Sequence, residues 1–114
     1  MIAGWFARRN SLYWLFSIFL LLNCSSVPKE VAPKKHTVEI KQMRFEPAEL
    51  IVQKGDTVVW INRDIVVHDV TEDPGKAWSS AEIQNGGSWY MVASTSASYF
   101  CSIHHVMKGK IVVK

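Results

Sequence analysis

Apolar and polar residues alternate along most of the chain after residue 35, and this period of two is typical of half-buried β-strands. The alternating segments are short and rich in β-branched and aromatic residues, and turn-forming sequences at 54–56, 73–75 and 85–87 separate them. The pattern predicts strands at residues 37–40, 50–52, 57–61, 65–70, 89–92, 98–101 and 111–113. No segment sustains a helical period, although residues 77–83 have room for one helical turn. We therefore expect an all-β sandwich of about seven or eight strands.

The first 23 residues have the pattern of a targeting segment. Arg8 and Arg9 precede an apolar run at residues 12–22, which is eleven residues long. A membrane-spanning helix needs roughly 20 apolar residues, so this run is more typical of a signal-peptide core. An uncleaved membrane anchor is the alternative, because residues 2–6 are also mostly apolar. We predict that residues 1–23 are a signal peptide or N-terminal anchor and that the protein is exported.

The residues after this segment predict a tethered domain. Cys24 follows a Leu-Leu-Asn sequence that resembles the lipobox of bacterial lipoproteins, although Asn23 departs from the small residue usual before that cysteine. Residues 24–35 are polar, contain two of the four prolines and have no periodicity, which indicates a flexible tether. We expect residues 36–114 to form one domain in the periplasm, held at a membrane surface through lipid on Cys24. No role is expected for His36.

Composition limits the functions of the domain. The chain has 114 residues and a formal net charge of +3, which leaves room for a single domain. Without the two N-terminal arginines, eleven basic residues face ten acidic ones, and this balance argues against nucleic-acid binding. The chain has two cysteines. A disulfide between them would join Cys24, where the targeting segment is processed, to Cys101 in the domain. We instead assign Cys24 to lipid attachment. Cys101 then remains a single thiol, and metal ligation would explain its presence.

The candidate chemistry lies between Cys101 and Met107, where seven residues offer a thiolate, an imidazole and a thioether. Thiolate and thioether suit Cu(I), and imidazole also suits Cu(II), so this set favours copper in both oxidation states. A blue-copper site needs a second imidazole. His68 is the candidate, because it follows an apolar run on a predicted middle strand. Within the loop, either His104 or His105 has the right chemistry.

These residues belong to a longer pattern. It reads Phe45-x-Pro47-x-x-Leu50-x-Val52-x-x-Gly55-Asp56-Thr57-Val58-x-Trp60-x-Asn62, then His68, then Cys101-x-x-His104-x-x-Met107-x-Gly109-Lys110. The pattern resembles the cupredoxins of the plastocyanin/azurin superfamily, and the two-residue gap before Met107 is most similar to amicyanins. The resemblance implies an eight-stranded Greek-key sandwich. It also implies one copper ion, cycling between Cu(II) and Cu(I), with His68, Cys101, His104 and Met107 as ligands.

The chain departs from this family pattern near the predicted ligands. Ile103 and His105 stand where prolines are usual, so the loop is less restricted. Asp69 stands where asparagine is usual, at a position that commonly bonds to the residue after the cysteine. We hypothesise that Asp69 accepts hydrogen bonds from Ser102 and that its negative charge favours Cu(II), which lowers the reduction potential.

The resemblance also implies the function, one-electron transfer between larger redox proteins. Electrons would pass at the edge of His104, through a ring of apolar surface residues that by position are Met43, Val66, Val67, Ile103 and Val106. Four protein ligands leave no open coordination position, which argues against an enzyme. A periplasmic copper-trafficking module is the alternative, although the chain has no methionine cluster, and zinc fits poorly because Met is not a usual zinc ligand. We expect a monomer.

Overall fold

The computed structural model describes residues 23–114, and in this part of the chain the short alternating segments form strands between Lys35 and Val113. The strands are β1 Lys35–Lys41, β2 Arg44–Glu46, β3 Glu49–Val52, β4 Thr57–Asn62, β5 Thr71–Asp73, β6 Ser88–Val92, β7 Ala97–Phe100 and β8 Lys108–Val113. Nothing in this part is a helix that could cross a membrane. The predicted signal peptide or anchor lies, except for Asn23, outside the described residues. The all-β fold class is confirmed.

The strands form two four-stranded sheets, in the orders β2-β1-β4-β6 and β3-β8-β7-β5. β1 pairs in parallel with β4, and β3 pairs in parallel with β8. The remaining neighbours are antiparallel. Each sheet buries one face, so inward and outward residues alternate along the strands, as in β4, where Val58, Trp60 and Asn62 are buried.

The core between the sheets contains a cluster of aromatic rings. Trp60 of β4 and Tyr99 of β7 meet edge to face with ring centroids 5.4 Å apart, and Phe45 meets Tyr99 at 4.8 Å. Burial raises the pKa of Tyr99 to about 12, although its contact with Trp60 lowers the pKa, so its hydroxyl stays neutral. Trp78 and Trp89 stack at 5.9 Å and are partly buried against this core. The two sheets are therefore joined by packed side chains, and one of them, Tyr99, lies two residues before Cys101 in the same core cluster.

The pairing of parallel strands gives the sandwich two distinct ends. We call one end the tether pole, where β1 and β4 begin, β3 and β8 finish, and the turn at residues 53–56 lies. The other end, the Cys101 pole, is where β4 and β7 finish and β8 begins. Six residues of strand at about 3.3 Å each separate the two ends by about 20 Å.

Hydrogen bonds to one carboxylate organise the tether pole. Asp56 accepts the amide protons of Lys34 at 2.9 Å and Gln53 at 3.0 Å, and it pairs with Nε2 of His36 at 2.8 Å. These contacts, led by the amide of Lys34 and the imidazole of His36, lower the pKa of Asp56 from 3.8 to about 2. His36, for which no role is expected from sequence, therefore helps to fasten the beginning of β1 to the turn before β4.

One predicted strand is wrong, and two short strands were not predicted. Residues 65–70 form a loop whose one bridge joins His68 to Ile83, and Ile65 in it is 93% exposed. The segment leaves β4 in one sheet and enters β5 in the other, so it cannot stay paired with a single sheet. β2 and β5, three residues each, are too short to show a period. Residues 77–83 do not form the helical turn that they have room for.

Candidate metal centre

Three donor side chains converge at the Cys101 pole. Sγ of Cys101 lies 3.8 Å from Nδ1 of His68 and 3.8 Å from Nδ1 of His104, and the two nitrogens are 3.2 Å apart. His68 and Cys101 are fully buried, whereas His104 is partly exposed. The structure therefore brings together three of the four residues that the sequence predicts as ligands, although 33 residues separate His68 from Cys101.

His68 is held by its backbone and by the second nitrogen of its ring. Its amide and carbonyl bond to Ile83 at 3.2 Å and 2.7 Å, which places the loop against the chain before β6. Nε2 of the ring lies 2.8 Å from Oδ2 of Asp64. Because a carboxylate can only accept, Nε2 carries the proton, and the lone pair of Nδ1 faces Cys101 and His104.

Asp64 is a functional residue that the sequence analysis missed. Its carboxylate accepts the backbone amides of Gln42 at 2.7 Å and Met43 at 3.0 Å, where the chain turns with positive φ values of 53° and 60°. Burial raises the pKa of Asp64, but the bonds from Met43, His68 and Gln42 outweigh it, so the net pKa is lowered and the group is an anion. The sequence does place a carboxylate four residues before His68. That spacing indicates a contact between two side chains in a helix, but it does not do so in a loop.

Asn62, at the end of β4, anchors the same loop. Its side-chain amide donates to the carbonyls of Val66 and Ile83, both at 2.9 Å, and its Oδ1 accepts the amide of Asp64 at 2.9 Å. Asn62 is fully buried and uses both ends of its side chain. The path of the loop from Asp64 to His68 is therefore fixed from inside the sandwich.

The loop after Cys101 is closed by Met107. The amide of Cys101 donates to the carbonyl of Met107 at 3.1 Å, and the amide of Met107 donates to the carbonyl of His104 at 3.0 Å. Met107 is 2% exposed, so its thioether is buried in the hydrophobic core that also contains Cys101. The predicted fourth ligand is thus tied by its backbone to two of the other three.

Asp69 joins the two loops, as the sequence analysis expects. Its carboxylate accepts the amide of Ser102 at 2.7 Å and the hydroxyl of Thr71 at 3.1 Å, and it also bonds the hydroxyl of Ser102. The amide of Asp69 donates to Sγ of Cys101 at 3.5 Å. Asp69 is 6% exposed. The predicted contact is confirmed, and its effect on the potential stays a prediction.

The structure separates the two loop histidines. Nε2 of His105 lies 2.7 Å from the carbonyl of Ser102, and its ring packs on Phe100, so it points away from the donors. His104 is the residue whose Nδ1 faces Cys101. The cysteines are likewise separate, because Cys24 is exposed, Cys101 is buried and both are free. The disulfide alternative is therefore absent from the described residues.

The donor set fits copper. Two imidazoles and a thiolate at these separations can all reach one ion at ordinary bond lengths of roughly 2.0–2.3 Å. Met107 supplies a buried thioether, and a thioether is the axial donor typical of trigonal blue-copper sites. The fold and the donors together define a small copper-binding β-sandwich.

Comparison with known proteins also indicates a copper-binding protein. Residues 32–114 match the family described as copper binding proteins, plastocyanin/azurin family, and the chain belongs to this family. Amicyanin from Paracoccus denitrificans is 37% identical over 91 residues, which cover 75% of this chain and 70% of that protein. Amicyanin-alpha from Methylorubrum extorquens is 29% identical over 83 residues, covering 68% and 70%. A solved structure of a methionine-to-alanine mutant of amicyanin in its Cu(I) form matches with a TM-score of 0.67 at 33% identity, covering 75% and 87%.

Several predictions made from sequence are thereby confirmed. The fold is that of a cupredoxin, and the chain is most similar to amicyanin. Copper is its cofactor, and the protein is a blue-copper electron carrier rather than an enzyme.

Proposed function

We propose that this protein carries single electrons between redox proteins outside the cytoplasm, at one copper ion held by His68, Cys101, His104 and Met107. The observation that supports this best is the convergence of two Nδ1 atoms and one Sγ, none more than 4.8 Å from another, from two distant parts of the chain. Copper supplies reversible change between Cu(II) and Cu(I) when it is bound there.

The role of the protein chain is to keep the donors in place while an electron arrives or leaves. Asp64 orients the ring of His68, and Asp69 ties the loop of His68 to the loop of Cys101. Donors that are fixed in this way move little between the two oxidation states, so little reorganisation opposes transfer. Because His68 and Cys101 are fully buried, release of the ion would require the loops to open, which favours a carrier over a trafficking module.

We infer that electrons pass at the exposed edge of His104. Four apolar side chains at this pole are exposed, namely Ile65 at 93%, Val66 at 47%, Ile103 at 42% and Val106 at 87%. An exposed apolar surface around a buried redox site suits brief docking of a partner protein. Of these four, Ile65 was not in the predicted ring. The other two predicted members are Met43, which is 38% exposed, and Val67, which is half-buried.

We also propose that the protein is a monomer in the periplasm, held at a membrane by lipid on Cys24. The apolar run at residues 12–22 and the cysteine after it support export and lipidation. Cys24 is exposed, and residues 23–34 have no regular secondary structure before β1 begins at Lys35. This composition and exposure are those of a tether.

The test uses one variant at each cysteine. Cys101→Ala should remove the intense visible absorption that a thiolate–Cu(II) bond gives, because the thiolate is lost. Cys24→Ala is the matched control, and it should keep the absorption while losing the lipid detected by mass spectrometry on the N-terminal peptide. A copper-loaded wild-type protein without that absorption, or a Cys101→Ala variant that retains it, would contradict the proposed site.

The two loop histidines give a second comparison within the same assay. His104→Ala should change the absorption spectrum, because it removes a proposed ligand. His105→Ala should leave the spectrum unchanged, because Nε2 of His105 faces the carbonyl of Ser102. The opposite result would exchange the roles of the two residues.

A further inference from the structure

Four exposed lysines gather at the tether pole. Lys34 precedes β1, Lys35 is its first residue, Lys54 lies in the turn before β4, and Lys114 follows β8. Backbone contacts place them together. The carbonyl of Lys34 accepts the amide of Thr57 at 2.9 Å, and the amide of Lys54 lies 3.4 Å from the carbonyl of Lys114. Lys34 and Lys54 also line one cavity of about 490 Å³. We call these four residues the pole lysines.

The positive charge of the pole lysines is not neutralised nearby. A side-chain carboxylate among them, that of Asp56, is 3% exposed and is engaged by two backbone amides and His36. Within residues 23–114, no pole lysine has a carboxylate at ion-pair distance, whereas Lys41 pairs with two glutamates at 3.3 Å and 3.4 Å. The tether pole therefore presents free ammonium groups to whatever lies beyond it.

We propose that the pole lysines dock on the anionic surface of the bilayer to which the protein is tethered. This inference rests on the membrane tether in the proposed function. Residues 24–34 connect Cys24 to this pole, and a flexible chain of that length has an end-to-end distance of about 18 Å. The tether therefore lets the pole come within one Debye length of the lipid headgroups, where anionic lipids attract lysines. A lipid chain combined with a basic patch also anchors a protein more firmly than a single lipid chain.

Docking in this way fixes the orientation of the domain. The Cys101 pole lies at the far ends of β1 and β4, about 20 Å from the pole lysines. His104 and the exposed apolar side chains around it then face away from the bilayer. The surface proposed for electron transfer would be open to soluble redox proteins and kept away from lipid.

Lysine reactivity tests the orientation directly. The copper-loaded protein, in the membrane-anchored form that cells make, is reconstituted in neutral phosphatidylcholine vesicles and in vesicles that also contain phosphatidylglycerol. An amine-reactive ester then labels lysines, and mass spectrometry measures the rate at each position. The pole lysines should react roughly fivefold more slowly in the anionic vesicles, and high salt should remove the difference. Lys108, exposed at the Cys101 pole, should react equally in both.

A pair of charge-reversal variants sharpens the test. Lys54→Glu combined with Lys114→Glu should abolish the protection of Lys34 and Lys35.

The matched control is Arg44→Glu combined with Arg63→Glu. It makes the same change in net charge on two exposed residues at the Cys101 pole and should leave the protection intact. Equal labelling in both kinds of vesicle, or protection of Lys108 instead, would overturn the docking and leave the patch free for an acidic protein.

Failure of the tether is a separate result. The mass of the N-terminal peptide shows whether Cys24 carries lipid, and an anchor of uncleaved sequence would leave the same connection at residues 24–34. A protein found unanchored contradicts the tether in the proposed function. In that case, anionic vesicles added to the soluble protein still decide the docking, because the pole lysines should be protected and Lys108 should not.

Discussion

The two poles of the molecule contain the same pair of groups in opposite surroundings. At each pole Nε2 of a histidine lies 2.8 Å from Oδ2 of an aspartate, as His36 with Asp56 and as His68 with Asp64. At the tether pole the carboxylate is the buried partner, with 5% of the side chain exposed against 25% for the imidazole. At the Cys101 pole the imidazole is fully buried, and 16% of the aspartate side chain is exposed.

This inversion shows how one interaction serves two purposes. Both aspartates also accept two backbone amides, so each one fixes a turn. The histidines differ in what they face. Among residues 23–114, the one group of three or more metal-ligating side chains contains His68 and not His36. A histidine–aspartate pair is therefore a structural clamp at one end, and at the other it directs a nitrogen toward the other candidate metal ligands.

The poles also differ in how their glycines are used, and this difference predicts the largest effect. Gly109 pairs directly with Tyr99, and a Cβ at Gly109 would overlap the tyrosine ring in the core. Gly55 in the tether-pole turn has a φ of +93° but open space around it. Gly109→Ala should destabilise the protein by about 3 kcal/mol, because Tyr99 must leave its packed position.

Gly55→Ala is the matched comparison. It should cost about 1–2 kcal/mol, because alanine tolerates a positive φ poorly but meets no neighbour. Urea unfolding of both variants measures the two losses. Equal losses would show that the Cys101 pole is no more tightly packed than the tether pole, and the contrast between the poles would be wrong in that respect.

The two aspartates can be exchanged for asparagine to separate clamp from metal centre. Asp64→Asn should weaken copper binding roughly 10–100-fold, because groups that orient a ligating histidine contribute about that much. Asp56→Asn should leave the copper affinity unchanged, because His36 is not in the donor group. Competition with a chelator measures both affinities. If the two variants bind copper equally well, the bond between Asp64 and His68 has no positioning role.

Much of this architecture is readable from the sequence because it depends on local patterns. Alternation identified most of the strands, since a half-buried strand repeats every two residues along the chain. The donors at 101, 104 and 107 are close in sequence, so their chemistry is visible directly. His68 lies 33 residues away from Cys101, and its assignment needed the second imidazole of the site and the family resemblance.

The features that could not be predicted depend on contacts between distant residues. The apolar run at 65–67 reads like a buried strand, yet Ile65 and Val66 are exposed at the surface proposed for docking. Hydrophobicity alone does not distinguish these two environments. The role of Asp64 likewise depends on amides 21 and 22 residues earlier, in a turn whose positive φ values occur at Gln42 and Met43.

The charge of Asp69 should affect the reduction potential, a smaller effect than loss of binding. Asp69→Asn keeps the shape of the side chain and removes a negative charge near Cys101, so the potential should rise, roughly by tens of millivolts. Asp73→Asn makes the same change in charge on an exposed strand end and should shift the potential less. Voltammetry of both copper-loaded variants measures the two reduction potentials. An unchanged potential in Asp69→Asn would leave Asp69 with only its hydrogen bonds to Ser102 and Thr71.

The smallest effect concerns the tether-pole clamp and appears only in acid. The pKa of Asp56 is lowered from 3.8 to about 2 in the folded protein, chiefly by the amide of Lys34, then by His36 and the amide of Gln53. The folded pKa is depressed, so the clamp contributes its full stability above pH 4 and loses it as the pH falls toward 2. The urea midpoint of the copper-free wild type should therefore decrease between pH 5 and pH 2 by more than that of Asp56→Asn. Asp73→Asn should behave like the wild type, and parallel curves for Asp56→Asn and the wild type would show that the clamp does not stabilise the fold.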